Sequence, residues 1–315
     1  WDKEFCFEFL QNVNFDTDAQ VIGISSMGYD LAHGMELAKA FKQRGKSVMF
    51  GGHQAWFSRE ELHSVCDTVV LGCPGPEEMN LILADCTANK VSPVYTAGVH
   101  IDFPFDYSIL DGKRTRFMPV LAGIGCRNQC NFCCNKEITS GHYYMRSIDT
   151  VMTDIHAARR KSRLLVFSDS NLFNHRTHLF ELTSRMIQER IDALWGAQCT
   201  IDIGDNPEWL RQMYKSGCRL LFIGIETLNQ ANMDQLEKRI DVALHERRIA
   251  NIRTSGIAVG GYFMVGLDED TTESFNDLYD FIHRNRLVSA VINILIPVPG
   301  TRMYKMLEEQ GRLLD

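Results

Sequence analysis

Apolar and polar positions follow two rhythms along this chain. Short β-branched or apolar runs at 20–26, 46–52 and 68–72 are bounded by Gly, Ser or Asp, and amphipathic stretches at 31–45 and 59–65 lie between them. The pattern predicts strand, helix, strand, helix, strand. Each strand run is apolar on both faces, which a parallel sheet covered by helices requires, and Gly45 stands where a helix-closing C′ residue belongs. Residues 1–100 therefore read as part of an open, doubly wound α/β sheet.

The rhythm lapses over 92–112, where two prolines and several aromatics show no period, and a linker is expected at 101–116. It resumes in 117–315. Strands are expected at 117–123, 163–169, 194–200, 219–226, 257–267 and 288–298, and helices at 147–160, 177–190, 207–217, 230–256, 271–285 and 301–311. Six successive βα units imply right-handed crossovers and a (β/α)6 partial TIM barrel, with its site at the C-terminal ends of the strands.

Composition narrows the function classes. The chain has 315 residues, 45% hydrophobic and 23% charged, with 33 Lys+Arg against 40 Asp+Glu for a net charge of −7. Disorder, a collagen-like repeat and a strongly basic nucleic-acid clamp are excluded. No apolar run reaches the ~18 residues of a bilayer span, so no membrane span is expected. Ten cysteines are scattered through an acidic chain that opens Trp1-Asp2-Lys3-Glu4, without a basic, apolar leader, which points to a reducing cytoplasm. His33, His63, His156 and His178 fall in helical stretches and read as surface or satisfied polar groups. The 13 methionines read as core filler, and 246–253 as a solvated helix face.

The strongest chemical signal is Cys126, Cys130 and Cys133, a CxxxCxxC following the first barrel strand through Gly123 and Gly125. Thiolates are soft ligands for iron and sulfide, and such spacing lets one loop hold three corners of a cluster. Three ligands on a four-iron cube leave one iron open. A structural zinc site, with Cys134 or His142 as fourth ligand, or three incidental buried thiols would use the same residues.

CxxxCxxC with Phe132 just before the last cysteine, at the start of a six-unit partial barrel, resembles the radical S-adenosylmethionine (radical SAM) superfamily. The resemblance covers about 117–315. It implies a 4Fe–4S cluster on Cys126, Cys130 and Cys133 whose open iron chelates S-adenosylmethionine and cleaves it reductively to a 5′-deoxyadenosyl radical. Phe132 would border the adenine. Asp169 and Ser170, in the segment after the second strand, would face the methionyl amino group, though the commoner Gly-Gly-Glu is missing. Glu226 would supply a polar contact and Lys238 a cation for the carboxylate; a solvated helix charge is the plain alternative for Lys238. Segments 261–275 and 296–315 resemble the closing signatures of that family. Tyr143, Tyr144 or Arg146 would touch substrate or merely pack.

The N-terminal segment resembles the Rossmann-like cobalamin-binding domain that precedes the barrel in one subgroup. Ser25, Ser26, Gly51, Gly52 and Gly72 would let a flat corrin lie across strand ends, with His53 and Trp56 close by. DxHxxG is absent, so His53 is not assumed to ligate cobalt, and the leading strand–helix unit is missing from this region. A degenerate domain that only packs on the barrel is the alternative. The expectation is a cobalamin-dependent radical SAM enzyme methylating an unactivated carbon of a small-molecule or peptide-derived substrate, with a flavodoxin or ferredoxin as reductant. The alternatives are a radical SAM cyclase, ring-contracting enzyme or oxidoreductase without methyl transfer, and a non-catalytic zinc-bearing binding module.

Overall fold

A computed structural model describes residues 13–26, 30–111, 115–139 and 141–313. The readings of the chain's opening residues, of Cys6, of 27–28 and of the last two residues lie outside these. The chain forms two compact units, the first running to Ile101 and the second beginning at Asp102, with 137–139 and Val298–Gly300 assigned to the first.

The first unit alternates β1 (Val21–Ser25), α1 (Leu31–Lys42), β2 (Ser47–Gly51), α2 (Arg59–His63), β3 (Thr68–Cys73), α3 (Pro76–Thr87) and β4 (Val94–Val99). Its four strands are parallel, in the order β1-β2-β3-β4. Ala38, Phe41, Val48, Phe50, Leu62, Val69 and Leu71 close the core between sheet and helices. The sequence pattern missed β4. An edge strand needs only one apolar face, and β4 exposes Thr96 and Gly98, so it carries no continuous apolar run. Strand order does not reverse among the described strands, so the crevice expected of a doubly wound sheet at such a reversal is not found there.

From Asp102 the order is β5 (Met118–Val120), β6 (Gly123–Gly125), α4 (Asn135–Thr139), β7 (Tyr143–Met145), α5 (Ile148–Lys161), β8 (Leu164–Phe167), α6 (Arg176–Gln188), β9 (Leu194–Cys199), α7 (Pro207–Lys215) and β10 (Cys218–Glu226). There follow α8 (Gln230–Gln235), α9 (His245–Thr254), β11 (Ala258–Val265), α10 (Thr272–Arg284), β12 (Ser289–Ile294) and α11 (Arg302–Glu309). Six parallel strands stand in the order β12-β11-β10-β9-β8-β5, an open barrel.

Three details correct the sequence pattern. The single strand expected over 117–123 is two: β5 joins the barrel, while β6 turns away to pair antiparallel with β7, a hairpin enclosing the cysteine loop. The helix expected over 230–256 is interrupted, with α8 ending at Gln235 and α9 starting at His245; Glu237 and Arg239 take positive φ of 53° and 44°. Residues 102–111, expected as linker, pack on the second unit, where the Tyr107 hydroxyl donates to the Pro119 carbonyl at 2.7 Å.

Arg146 does this anchoring. It is 1% exposed, and its guanidinium donates to the Leu121 carbonyl (2.8 Å), to Asp154 Oδ2 (2.7 Å) and to the Phe103 carbonyl, while lying 4.2 Å over the Phe105 ring. The residue is therefore structural. His178 Nε2 lies 2.8 Å from the Arg146 carbonyl and His156 Nε2 2.7 Å from Glu189, so both are satisfied as expected.

Alternation along the strands separates two faces. Leu165, Phe167, Leu221, Ile223, Ile225, Val259 and Phe263 are buried in the core beneath the helices. Their alternates face inward. Val166, Leu220, Phe222, Tyr262 and Val291 line the concave side, with Val166 38% and Val291 37% exposed, so the interior is an open apolar trough and not the filled core of a closed barrel.

Candidate active site

The cysteine loop runs between β6 and α4, at the C-terminal end of the barrel sheet, and is held from several sides. The Asn131 N–H donates to the Leu236 carbonyl (3.3 Å), its Nδ2 donates to the Gln235 carbonyl (2.7 Å), and its carbonyl accepts from the Met303 N–H (3.0 Å). Arg302 donates to the Gln129 carbonyl and pairs with Glu237 at 2.7 Å. Phe132 packs on Leu236, Leu267, Met303 and Leu307, so much of its ring anchors the loop.

Cys130 is 9% exposed, and burial pushes its thiol up to about 12; burial likewise pushes Cys133 up to about 11. Electrostatic neighbours of Cys130 are Lys238, which opposes that rise, and then Cys133, Cys126 and Glu226, which add to it. One pocket thus gathers three thiols and an ion pair. A metal bound to the sulfurs would supply the positive charge that keeps them ionised.

Among the described residues no three His, Cys, Asp or Glu side chains converge on a point where one metal ion could sit. An iron–sulfur cube takes each cysteine on a different iron, so it does not require the three thiols to converge on one point. The donor set fits the cluster.

Lys238 is not a solvated helix charge. It sits in the segment between α8 and α9 with its side chain 6% exposed, and its ammonium donates to Glu226 Oε1 (2.5 Å) and to the Gly224 carbonyl (2.7 Å). Gly224 leaves room for the pair as it stands, because a Cβ would lie 2.6 Å from Lys238 Nζ and 2.5 Å from Glu226 Oε1 and would have to push one of them aside. Glu226 ends β10 at a register shift with φ of 63°, a strained conformation for a residue with a side chain.

Asp169 is held by two elements of the frame. It is 1% exposed; Oδ2 accepts the Ala122 N–H at 2.9 Å and Oδ1 accepts the Tyr143 hydroxyl at 3.2 Å. Burial raises its carboxyl to about 6. The carboxylate thus ties the segment after β8 to the β5–β6 junction and to β7. Ser170 beside it is exposed.

Sequence reading missed Asn174, Asn171 and His245. Asn174 contacts the backbone on both sides of Cys126, and Asn171 joins it to β9. His245 is fully buried, its ring nitrogens without a partner of normal hydrogen-bond geometry among the described residues. Polar residues flanking Asp169 were the available signal for the asparagines; His245 gave none.

In the first unit, Ser25 pairs in register with Gly51, and Gly52 has a φ of 84°. A Cβ on Gly52 would lie 2.3 Å from Ser25 Oγ, so these strand ends approach with no side chain between them. Ser26 is buried with its hydroxyl unpartnered among the described residues, His53 is exposed, and Trp56 packs against the core of the unit. Gly72 has a φ of 91° at the end of β3.

Residues 120–282 match the radical SAM superfamily model, more than half of the chain and the stretch that carries the cysteine loop and four of the six barrel strands whole. The chain belongs to the radical SAM superfamily. Its curated relatives include the bacteriochlorophyllide d C-12(1)-methyltransferase of Chlorobaculum tepidum, 27% identical over 99% of this chain and 72% of that protein. The C-8(2)-methyltransferase of the same organism is 25% identical over 96% of this chain and 71% of that protein. Among solved structures, the radical SAM methyltransferase TsrM of Kitasatospora setae, with cobalamin and a 4Fe–4S cluster bound, superposes with a TM-score of 0.75 at 14% identity, covering 94% of this chain and 68% of that one. OxsB, with aqua-cobalamin and S-adenosylmethionine bound, gives 0.71 at 12% identity over 95% of this chain and 53% of that one. At these identities the two structures establish the fold. Among the described residues no helix is long and apolar enough to cross a membrane.

Proposed function

We propose that this radical SAM enzyme is a cobalamin-dependent C-methyltransferase that places a methyl group on an unactivated carbon of a flat, largely apolar substrate. The observation that carries the reading is the reach of the match: relatives named as C-methyltransferases align over 99% and 96% of the chain, through both units, and not over the barrel alone. A 4Fe–4S cluster bound at the cysteine loop supplies the single electron that splits S-adenosylmethionine, and a corrinoid supplies a methyl group.

The chain's own part is to bind, orient and exclude water. Cys126, Cys130 and Cys133 hold three irons, and Lys238 balances the negative charge that gathers around Cys130. Ser170 is free at the end of β8 to meet a ligand. Glu226 reaches a ligand only at its outer oxygen, because Oε1 is held by Lys238. The trough lined by Val166, Leu220, Phe222, Tyr262 and Val291 suits an apolar ring system, and its aromatic pair, Phe222 and Tyr262, has ring centroids 5.5 Å apart. In the first unit, Ser25, Gly51, Gly52 and Gly72 form the side-chain-poor strand ends on which a corrin can lie, and the unpartnered Ser26 hydroxyl is a donor for it. His53 and Trp56 flank that edge. A cytoplasmic location and a flavodoxin or ferredoxin reductant follow from this chemistry.

The test is anaerobic: reconstitute the protein, count iron, sulfide, zinc and corrinoid, and incubate with S-adenosylmethionine, reductant and bacteriochlorophyllide d as probe. Methyl transfer yields S-adenosylhomocysteine together with 5′-deoxyadenosine. 5′-Deoxyadenosine without stoichiometric S-adenosylhomocysteine would replace this reading with cyclisation or oxidation, and tightly bound zinc without iron would end it.

A further inference from the structure

We propose that Asn174 is a positioning residue that fixes the Cys126 corner of the cluster loop and sets the electrostatic environment of its sulfur. The inference rests on the cluster reading of Cys126, Cys130 and Cys133.

Asn174 touches the loop at three points: the residue before Cys126, the residue after it, and Cys126 itself. Its Nδ2 donates to the Gly125 carbonyl (3.2 Å), its Oδ1 accepts the Arg127 N–H (3.2 Å), and Oδ1 lies 3.6 Å from Cys126 Sγ, a contact that is a hydrogen bond in the thiol form and a carbonyl dipole beside the sulfur once it is a thiolate. The amide cannot be turned over without placing oxygen against the Gly125 carbonyl and N–H₂ against the Arg127 N–H. One side chain thus clamps the peptide groups before and after the cysteine in a single orientation.

Asn174 is itself fixed. Asn171 is buried; its Nδ2 donates to Asn174 Oδ1 (3.2 Å), and its own Oδ1 accepts the N–H groups of Phe173 (3.1 Å) and Thr200 (3.2 Å). Thr200 follows the end of β9. The two asparagines therefore transmit the position of the β8 and β9 ends to the first cysteine, across 48 residues of sequence. Groups outside the metal–sulfur bonds orient ligands and tune cluster potential, and a fixed amide dipole beside one sulfur has that effect.

Three variants test this in the reconstituted full chain, with iron and sulfide content, electron paramagnetic resonance of the reduced cluster and its midpoint potential as readouts. Asn174→Ala removes both halves of the clamp, and at least a twofold loss of iron per chain is expected, with an altered spectrum for the cluster that remains. Asn174→Asp preserves shape and the acceptor for Arg127, deletes the donor to Gly125, and adds a negative charge beside Cys126; its midpoint is expected to shift to more negative values even where iron content is kept. Should Asn174→Ala fail to fold, Asn174→Asp decides. Parental iron content, spectrum and midpoint in the Asp variant would overturn the proposal. Cys126→Ala is the control: full cluster retention in it would overturn the cluster reading instead, whereas loss there beside parental behaviour of both Asn174 variants would refute only the role of Asn174.

Discussion

Lys238 Nζ lies 2.5 Å from Glu226 Oε1 inside a pocket that leaves the two side chains 6% and 12% exposed, and both charges act on Cys130. A near-buried pair of this kind is costly to break from one side, because the remaining charge is left desolvated. Lys238→Met is expected to lower stability by ~3–5 kcal/mol, and adding Glu226→Leu to recover much of that loss. Denaturant titration of the three proteins checks it; a double variant no better than Lys238→Met would show that the pair is not coupled. Gly224→Ala should mimic the lysine variant, since its methyl group would displace the ammonium.

Two buried titratable groups oppose each other in pH dependence. Burial raises Asp169 to about 6 and lowers His245 to about 4, the latter with help from the Lys238 and Arg248 charges. A raised carboxyl binds more proton folded than unfolded, so its contribution is full below the ordinary carboxylate range and is lost as pH rises through 6. A lowered imidazole binds less, so its contribution is full above 6.5 and is lost as pH falls towards 4. Each effect is of the order of 3 kcal/mol. The parent should therefore vary little in stability between pH 4 and 6.5, Asp169→Asn should gain stability with rising pH across that window, and His245→Leu should lose it. Urea midpoints at pH 4.5 and 6.5 distinguish the three; parallel slopes would contradict the assignment.

Arg146 and Asp154 are both fully buried in their side chains, and Asp154 also accepts the Phe105 N–H at 2.9 Å. Arg146→Ala is expected to cost ~3–5 kcal/mol. Because the guanidinium also holds the Phe103 carbonyl, limited proteolysis should show new cleavage within 102–111. Unchanged protection there would mean that the segment is held by Tyr107 and its neighbours alone.

Cys130→Ala is expected to abolish cluster assembly, and Cys134→Ala to leave it intact, although the two thiols lie in one loop and burial raises both. Iron and sulfide analysis after anaerobic reconstitution gives the answer. Equal loss in the two variants would mean that Cys134 is a ligand.

The fold agrees with what the βα rhythm already implied for 117–315, because strands buried between helices and a central trough must be continuous apolar runs separated by amphipathic ones. Where the structure departed, the signal was missing for a physical reason. β4 is an edge strand with a half-polar face. The break between α8 and α9 is set by Lys238 turning inward to Glu226, a contact 12 residues away in sequence that no local propensity encodes. β6 left the barrel because Gly123 and Gly125 allow the hairpin with β7, where the Tyr143 ring stands over Gly123 with no room for a side chain.

The sequence by itself determined the class of chemistry: three cysteines at fixed spacing after a strand, in a chain of repeated βα units, since ligand spacing and hydrophobic period are local properties. Only the tertiary structure decided which polar residues are free to act. Asp169 and Arg146 are bound into the frame, Lys238 is paired, and Asn174 is brought against Cys126, because burial and partner choice depend on residues distant in the chain that meet only once the sheet has formed.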